Sequence, residues 1–262
     1  MKGIRMRNLL CTCVSAVLLF FASVAHAQEA ASGGPAIPQN PATSWAHESE
    51  VAAVSVSGNT ETESYSAKQK TTYKWSENSL TLTGSYLENK GRVENRTETT
   101  AKQWDAGGRY DRVVSELWGA YLGHRAEANR FAGFIQRDIS DFGAKYLIRK
   151  SDELTWKAEA GYAYIKTYNT AYENLYDPSY RLYTEAVRKL EKNLTFGYWI
   201  EYLQSFSKSK VYFINTEASL NVMLNQMFSV KTSYLLRYQN FRAPNQEKYT
   251  DTTLTTSLIA RF

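Results

Sequence analysis

The amino-acid sequence predicts an all-β protein, a single closed antiparallel transmembrane β-barrel with twelve strands as the expected number. The first observation is long alternation: in "LTLTGSY", Leu80, Leu82 and Tyr86 share one face and threonines the other, which is the period of a strand. The second is that short turns alternate with longer polar links, as in outer-membrane barrels. Because backbone polar groups must be paired in hydrocarbon, a sheet that spans a membrane has to close.

The N-terminal segment is predicted to be a signal peptide. Residues 1–27 begin with three basic residues, continue through an apolar stretch and finish with the small residues Ala25 and Ala27, which predicts secretion and cleavage after Ala27. Both cysteines of the chain lie in this segment, so the remainder is expected to form no disulfide.

Charge and composition define the rest of the chain. The net charge is +5, but residues 1–27 contain three basic and no acidic residues, so the remainder carries only +2 and gives no indication of nucleic-acid binding. Residues 28–44 contain three prolines and a Gly pair and are predicted to be a flexible linker, followed by a barrel domain over residues 45–262. Beyond residue 27, no apolar run approaches the ~18 residues of a transmembrane helix.

The alternation defines the strands in order. Strands are predicted over 48–57, 62–75, 79–90, 95–111, 115–128, 132–150, 153–167, 179–191, 193–206, 210–224, 226–241 and 247–262. Tight turns are predicted at 76–79, 111–115, 150–153, 191–193 and 225–226. Longer links are predicted at 89–95, 126–133, 167–179 (with Pro178) and 206–210.

The aromatic residues cluster near the strand ends. Trp75, Trp118 and Trp156 lie near short turns, whereas Tyr86 and Tyr164 lie near long links. This distribution is typical of the two aromatic girdles of a membrane barrel. The alternative is a secreted soluble β-barrel that turns its apolar faces inward and binds an apolar ligand.

Three segments carry a resemblance to a known family. They are "VSVSGNTETESYSAKQKTTYKW" (54–75), "EANRFAGFIQRDISDFGAKYLI" (127–148) and "LTWKAEAGYAYI" (154–165), together with the final Phe262. The chain resembles the salt-induced outer-membrane protein family over residues 45–262. The resemblance implies an outer-membrane barrel in Gram-negative bacteria and a link to envelope stress, and it brings no catalytic residues.

The polar faces of the strands supply candidate lumen-lining residues. On the lipid face, each Lys or Arg would cost ~2–4 kcal/mol at the midplane, so these charges are expected inside. The predicted lumen residues are Lys68, Lys70, Lys74, Asp105, Arg109, Glu116, Lys145, Arg149, Lys157, Glu159, Glu201, Glu217, Lys231, Arg237 and Arg261. They fit either an ion-paired plug or a narrow hydrophilic pore, and their long side chains favour a mostly filled lumen.

One histidine is a candidate for catalytic chemistry. His124, with Glu127, Asp138 or Asp141, is the only candidate for a barrel-type hydrolase, but Ala126 occupies the position where a phospholipase pattern would place serine. The sequence therefore predicts no enzyme, no catalytic residue, no cofactor and no metal site.

The predicted function is a structural or small-solute permeation role in the bacterial outer membrane. The alternatives are the hydrolase and the soluble barrel described above. The expected partners are outer-membrane lipid, lipopolysaccharide and the assembly machinery, which would recognise the last strand through Phe262, and the barrel is expected to be a monomer that binds no nucleic acid.

Overall fold

The computed structural model describes residues 43–56, 62–93, 96–169, 173–240 and 249–262. Within these residues, twelve antiparallel strands form one closed barrel, in which consecutive strands are neighbours and β1 pairs with β12. The predicted fold class is confirmed. The predicted signal peptide and residues 28–42 of the predicted linker lie outside the described residues.

The strands have the following bounds. They are β1 Thr43–Val56, β2 Thr62–Trp75, β3 Asn78–Val93, β4 Arg96–Val113, β5 Trp118–Asn129, β6 Phe134–Lys150, β7 Leu154–Asn169, β8 Leu175–Lys189, β9 Leu194–Ser205, β10 Tyr212–Met223, β11 Phe228–Gln239 and β12 Thr250–Arg261. Short turns connect β2–β3, β4–β5, β6–β7, β8–β9 and β10–β11 at one end of the barrel, the short-turn end. The opposite end is the long-link end.

Several predicted boundaries were wrong. Residues 89–93, predicted to lie in a longer link, belong to β3 and pair with β4 as far as Val93 and Arg96. Strand β1 begins at Thr43, so Thr43 and Ser44 belong to the barrel and not to the linker. Strand β8 begins at Leu175 and includes Pro178, which was predicted to lie in a link. The Phe206 N–H donates to the Pro178 carbonyl oxygen at 2.9 Å, one position beyond the end of the β8–β9 ladder. The missing N–H of proline therefore removes no bond from the ladder itself.

A short helical segment connects β5 to β6. The 3₁₀ segment Arg130–Ala132 is capped by the Asn129 side chain, which accepts a hydrogen bond from the Ala132 N–H at 3.0 Å. It ends at Gly133, whose φ of 83° favours glycine. Among the described residues, no helix is long and apolar enough to cross a membrane.

The two faces of the sheet differ as the alternation predicts. Outside, large apolar side chains are exposed, such as Leu122 at 59% and Leu254 at 71%. Inside, charged side chains are buried, such as Glu159 at 4% and Arg181 at 7%. This arrangement is the reverse of a soluble barrel that binds an apolar ligand, and it is the arrangement expected in lipid.

Aromatic rings form a band at each end of the exterior. At the long-link end, a continuous series of ring contacts has centroid separations from 5.5 to 6.3 Å. Its members are Phe142, Tyr162, Phe206, Tyr180, Tyr202, Tyr212, Tyr238 and Tyr249. At the short-turn end, Trp45, Tyr73, Trp75 and Tyr110 form a second series, separated by 5.4 to 6.2 Å. The bands match the girdles where rings meet lipid headgroups.

The seam between β1 and β12 closes the barrel. Its ladder joins residues 48–51 to residues 258–261, which makes it shorter than the other ladders between described strands. The backbones of His47 and Phe262 extend it with two hydrogen bonds of 2.9 and 3.0 Å. Phe262 therefore takes part in closing the barrel at the short-turn end.

Candidate functional site

One side of the lumen is filled by charged side chains from strands β4 to β9. We call this set the basal network, and it consists of Arg109, Asp111, Lys145, Glu159, Arg181 and Glu201. Each carboxylate in it accepts hydrogen bonds from two residues. Asp111 and Glu159 each bind two cationic side chains, and Glu201 binds Arg181 and the Asn215 amide. Such a fully paired network is rigid, because breaking any member would leave a buried charge without a partner.

Glu159 occupies the centre of the basal network. Arg109 binds it through two hydrogen bonds of 2.7 and 2.9 Å, and Arg181 adds a third of 2.8 Å. Arg181 also donates to Glu201 at 2.7 Å, which links β7, β8 and β9 across the interior. The bidentate geometry is the one that arginine and carboxylate prefer.

Tyr121 packs beneath these arginines because two glycines make room for it. The Tyr121 hydroxyl accepts a hydrogen bond from Arg181 at 3.1 Å, and the Arg109 guanidinium lies 4.2 Å above its ring. A Cβ at Gly143 or Gly161 would collide with the Tyr121 hydroxyl. The glycine pair thus lets a large ring lie against the wall and fill this half of the lumen.

Beside this network the lumen contains a cavity of about 540 Å³, the lateral cavity, whose lining comes from all twelve strands and includes Glu201 of the basal network. Its lining extends from Thr195 and Arg261 near the short-turn end to Asn129 and Gln239 at the long-link end. Charged side chains are frequent in this lining, and Thr83 and Ser85 are among its small polar residues.

Ion pairs at the base of the lateral cavity connect the seam strands. Buried Glu50 accepts a hydrogen bond from Ser257 at 2.8 Å and lies 3.5 Å from Lys68 and 3.7 Å from Lys231. Lys231 also contacts Glu217 at 3.0 Å. These contacts join β1 to β2, β11 and β12, and they support closure where the ladder is short.

Most predicted lumen residues lie inside the barrel. Those that line the lateral cavity are Lys68, Lys70, Asp105, Glu201, Glu217, Lys231, Arg237 and Arg261. Arg109, Lys145 and Glu159 lie in the basal network. Lys157 pairs with Glu185 at 2.5 Å, and Lys74 is exposed near the short-turn end of β2.

Two residues predicted to line the lumen do not. Glu116 lies in the exposed turn between β4 and β5, because the N–H groups of Val114 and Ser115 donate to the Trp118 carbonyl oxygen and delay the start of β5. Arg149 follows a β-bulge in β6 and pairs with Trp156, an exposed residue of the outer face. The extra residue of the bulge reverses the alternation, so Arg149 points outward.

Several interior residues were missed in the sequence. Arg181 and Glu50 lie on the strands with the least regular patterns, β8 and β1. Arg125 and Arg137 fell within predicted strands, 115–128 and 132–150, but were not among the predicted lumen residues. The alternation of Tyr121, Arg125 and Glu127 along β5 is the signal that could have placed them inside.

His124 lies on the outer face and contacts a serine from the next strand. Its Nδ1 atom is 2.9 Å from the Ser140 hydroxyl, and both residues belong to the β5–β6 ladder. Among the described residues, no carboxylate or amide contacts the other ring nitrogen. In the same part of the chain, no group of His, Cys, Asp and Glu side chains could hold a metal ion.

The closed sheet, the apolar exterior with two aromatic bands and the charged interior define the class of protein: a transmembrane β-barrel. Within that class, the chain belongs to the family described as "Protein of unknown function, DUF481", whose profile matches residues 49–262. No curated protein matches the chain.

Solved structures with a similar fold are outer-membrane barrels of low sequence identity. The NanC porin is 10% identical, with a TM-score of 0.47, and the match covers 83% of this chain and 98% of that one. The KdgM porin is 10% identical, with a TM-score of 0.41 and coverage of 83% and 96%. The translocator domain of the autotransporter NalP from Neisseria meningitidis is 10% identical, with a TM-score of 0.43 and coverage of 96% and 98%.

Proposed function

We propose that this chain is a monomeric barrel of the bacterial outer membrane that lets small hydrophilic solutes pass through the lateral cavity. The observation that carries the proposal is the extent of that cavity, whose lining reaches both ends of the barrel. The basal network supplies rigidity beside the cavity and shares Glu201 with its lining, so the proposed path does not depend on a mobile plug. A barrel of twelve strands lies between packed eight-strand barrels and open sixteen-strand porins.

Liposome swelling tests permeation directly. Liposomes that contain the refolded protein are expected to swell faster in arabinose than in the larger raffinose, and faster than empty liposomes in both. Thr83→Trp places a bulky ring in the lateral cavity and is expected to slow swelling. Gly84→Ala, at the next position, serves as the control. Its added Cβ would lie 3.8 Å from the Asp105 carbonyl oxygen, which is an ordinary van der Waals contact. Swelling equal to that of empty liposomes would contradict the proposal.

Location and partners form part of the same proposal. The exposed apolar wall supports contact with outer-membrane lipid, and Lys166, 5.7 Å from the Tyr164 ring, is a cation suited to lipopolysaccharide phosphate. Phe262 contributes to the seam, which supports recognition of the last strand by the assembly machinery. Recovery in the soluble periplasmic fraction, in place of heat-modifiable migration from the outer-membrane fraction, would contradict this location.

The resemblance to the salt-induced family supports a role in envelope stress. We propose that the amount of the protein rises with external salt. Immunoblots of cells grown at low and high salt test this. An unchanged amount of the protein would contradict a role in the response to salt.

The His124–Ser140 contact favours a second candidate function, a hydrolase acting on lipid at the outer wall. Serine and histidine within hydrogen-bonding distance are two members of a nucleophile–base arrangement. The candidate ranks second because a group that orients the histidine is missing from its described contacts. Release of fatty acid from vesicles that is lost in both His124→Ala and Ser140→Ala would establish it.

A further inference from the structure

Three arginines surround the part of the lateral cavity nearest the long-link end. Arg125 on β5, Arg137 on β6 and Arg237 on β11 line the cavity, and we call them the arginine cluster. Of the three, Arg137 pairs with Glu127 at 3.3 Å, and all three share the lining of this cavity with Glu127. Since β11 is six strands away from β5, the cluster brings guanidinium groups from opposite walls toward one point.

Arg137 is held in place by its neighbours. Its Nη1 atom lies 3.3 Å from Glu127, and its Nε–H donates to the Thr167 hydroxyl at 3.2 Å. The guanidinium lies over the rings of Phe134 and Phe213, at 4.1 and 4.8 Å from their centroids. Contact with two aromatic faces fixes the position of the guanidinium, and its ion pair with Glu127 offsets part of its charge.

Arg125 and Arg237 differ, because within the described residues neither donates a side-chain hydrogen bond. The closest carboxylate to Arg125 is Glu201, at 3.8 Å. Glu201 already accepts hydrogen bonds from Arg181 at 2.7 Å and Asn215 at 3.0 Å. The Nε–H of Arg125 is buried without an acceptor, although 38% of the side chain is exposed to the cavity.

Carboxylates near the cluster do not supply the missing acceptors. Asp105 accepts a hydrogen bond from Ser85. Asp251, the cross-strand neighbour of Arg237, forms no ion pair with it in the described part of the chain. Each guanidinium presents five N–H donors in a planar fork, and the buried Nε–H of Arg125, which has no acceptor, costs free energy. A ligand with paired oxygen atoms would satisfy them.

We propose that the arginine cluster binds the carboxylate or phosphate group of a small hydrophilic anion. Arg125 and Arg237 donate to its oxygen atoms from opposite walls, and Arg137 contributes a fixed positive charge. The inference rests on the proposed function in that the ligand enters through the lateral cavity, and it names the class of solute selected there. Planar, bidentate recognition of oxyanions is the role to which arginine is suited.

Calorimetric titration of the refolded, detergent-solubilised barrel tests the site. Succinate and inorganic phosphate are the probes, which distinguish carboxylate from phosphate recognition, and succinamide is the uncharged control. Binding of at least one anion is expected, and Arg125→Gln and Arg237→Gln are each expected to weaken it roughly tenfold or more, since a charge-assisted hydrogen bond is lost. Lys70→Gln removes another cavity cation and is expected to change the affinity by less than about twofold.

A second variant keeps the test decisive if a glutamine substitution impairs folding. Arg237→Lys retains the charge but loses the fork, and it is expected to give an intermediate affinity in protein whose heat-modifiable migration is unchanged. Absence of anion binding to the unaltered protein, or equal affinity in the Arg125, Arg237 and Lys70 variants, would overturn the inference. Anion binding without liposome swelling would support the arginine cluster as a binding site and reject permeation. Swelling without anion binding would support permeation and reject the binding site.

Discussion

The two halves of the lumen contain the same kinds of charged residue but arrange them differently. In the basal network, Glu159 accepts three hydrogen bonds of 2.7 to 2.9 Å from two arginines. Beside the lateral cavity, Glu50 lies 3.5 and 3.7 Å from two lysines. The difference follows from packing: Tyr121, placed against two glycines, lies between the arginines and the wall, whereas no comparable ring fills the space beside Glu50 in the described residues.

Loss of Arg181 is expected to have the largest effect on stability. Arg181→Met would leave Glu159 and Glu201 short of a partner at positions that are 4% exposed, so the free energy of unfolding should fall by ~3–5 kcal/mol. Urea titration of the refolded barrel, followed by tryptophan fluorescence, measures it. Lys231→Met is the matched control beside the cavity. A smaller loss is expected there, because Glu50 keeps Lys68 and Ser257 as partners and Glu217 lines the cavity. Equal losses would remove the distinction between the halves.

A methyl group on the glycine pair is expected to have the next largest effect. Gly161→Ala would press against the Tyr121 hydroxyl and the Phe142 carbonyl oxygen, and overpacking of this kind costs about 1–3 kcal/mol. The same titration measures the change. Gly84→Ala, on a strand beside the cavity, should stay within about 0.5 kcal/mol of the unaltered protein. If Gly161→Ala changes the free energy of unfolding as little as Gly84→Ala, the packing of Tyr121 against the glycine pair does not stabilise the basal network.

The smallest effect is expected at an ion pair outside the core of the network. Lys157 and Glu185 lie 2.5 Å apart, but their side chains are 32% and 29% exposed. Because exposed pairs contribute little, Lys157→Gln should reduce the free energy of unfolding by at most ~1 kcal/mol. A loss as large as that of Arg181→Met would show that partial exposure does not weaken pairing in this lumen.

The fold could be predicted from sequence to a greater extent than the site. Regular alternation placed β2, β7 and β11 and the order of short turns and long links, because each strand has one lipid face and one polar face. The alternation in the sequence did not show the bulge before Arg149 or the late start of β5. One extra residue in a strand moves every later side chain to the opposite face of the sheet. Arg181 and the arginine cluster depend on contacts between strands distant in sequence, which alternation along one strand does not report.

Single-channel recording tests the central claim, an open path beside a rigid wall. In planar bilayers, the refolded protein should give stable conductance steps, and Thr83→Trp should lower the step size while Gly84→Ala leaves it unchanged. Refolded barrel that inserts but produces no steps, or steps that Thr83→Trp does not alter, would contradict the claim.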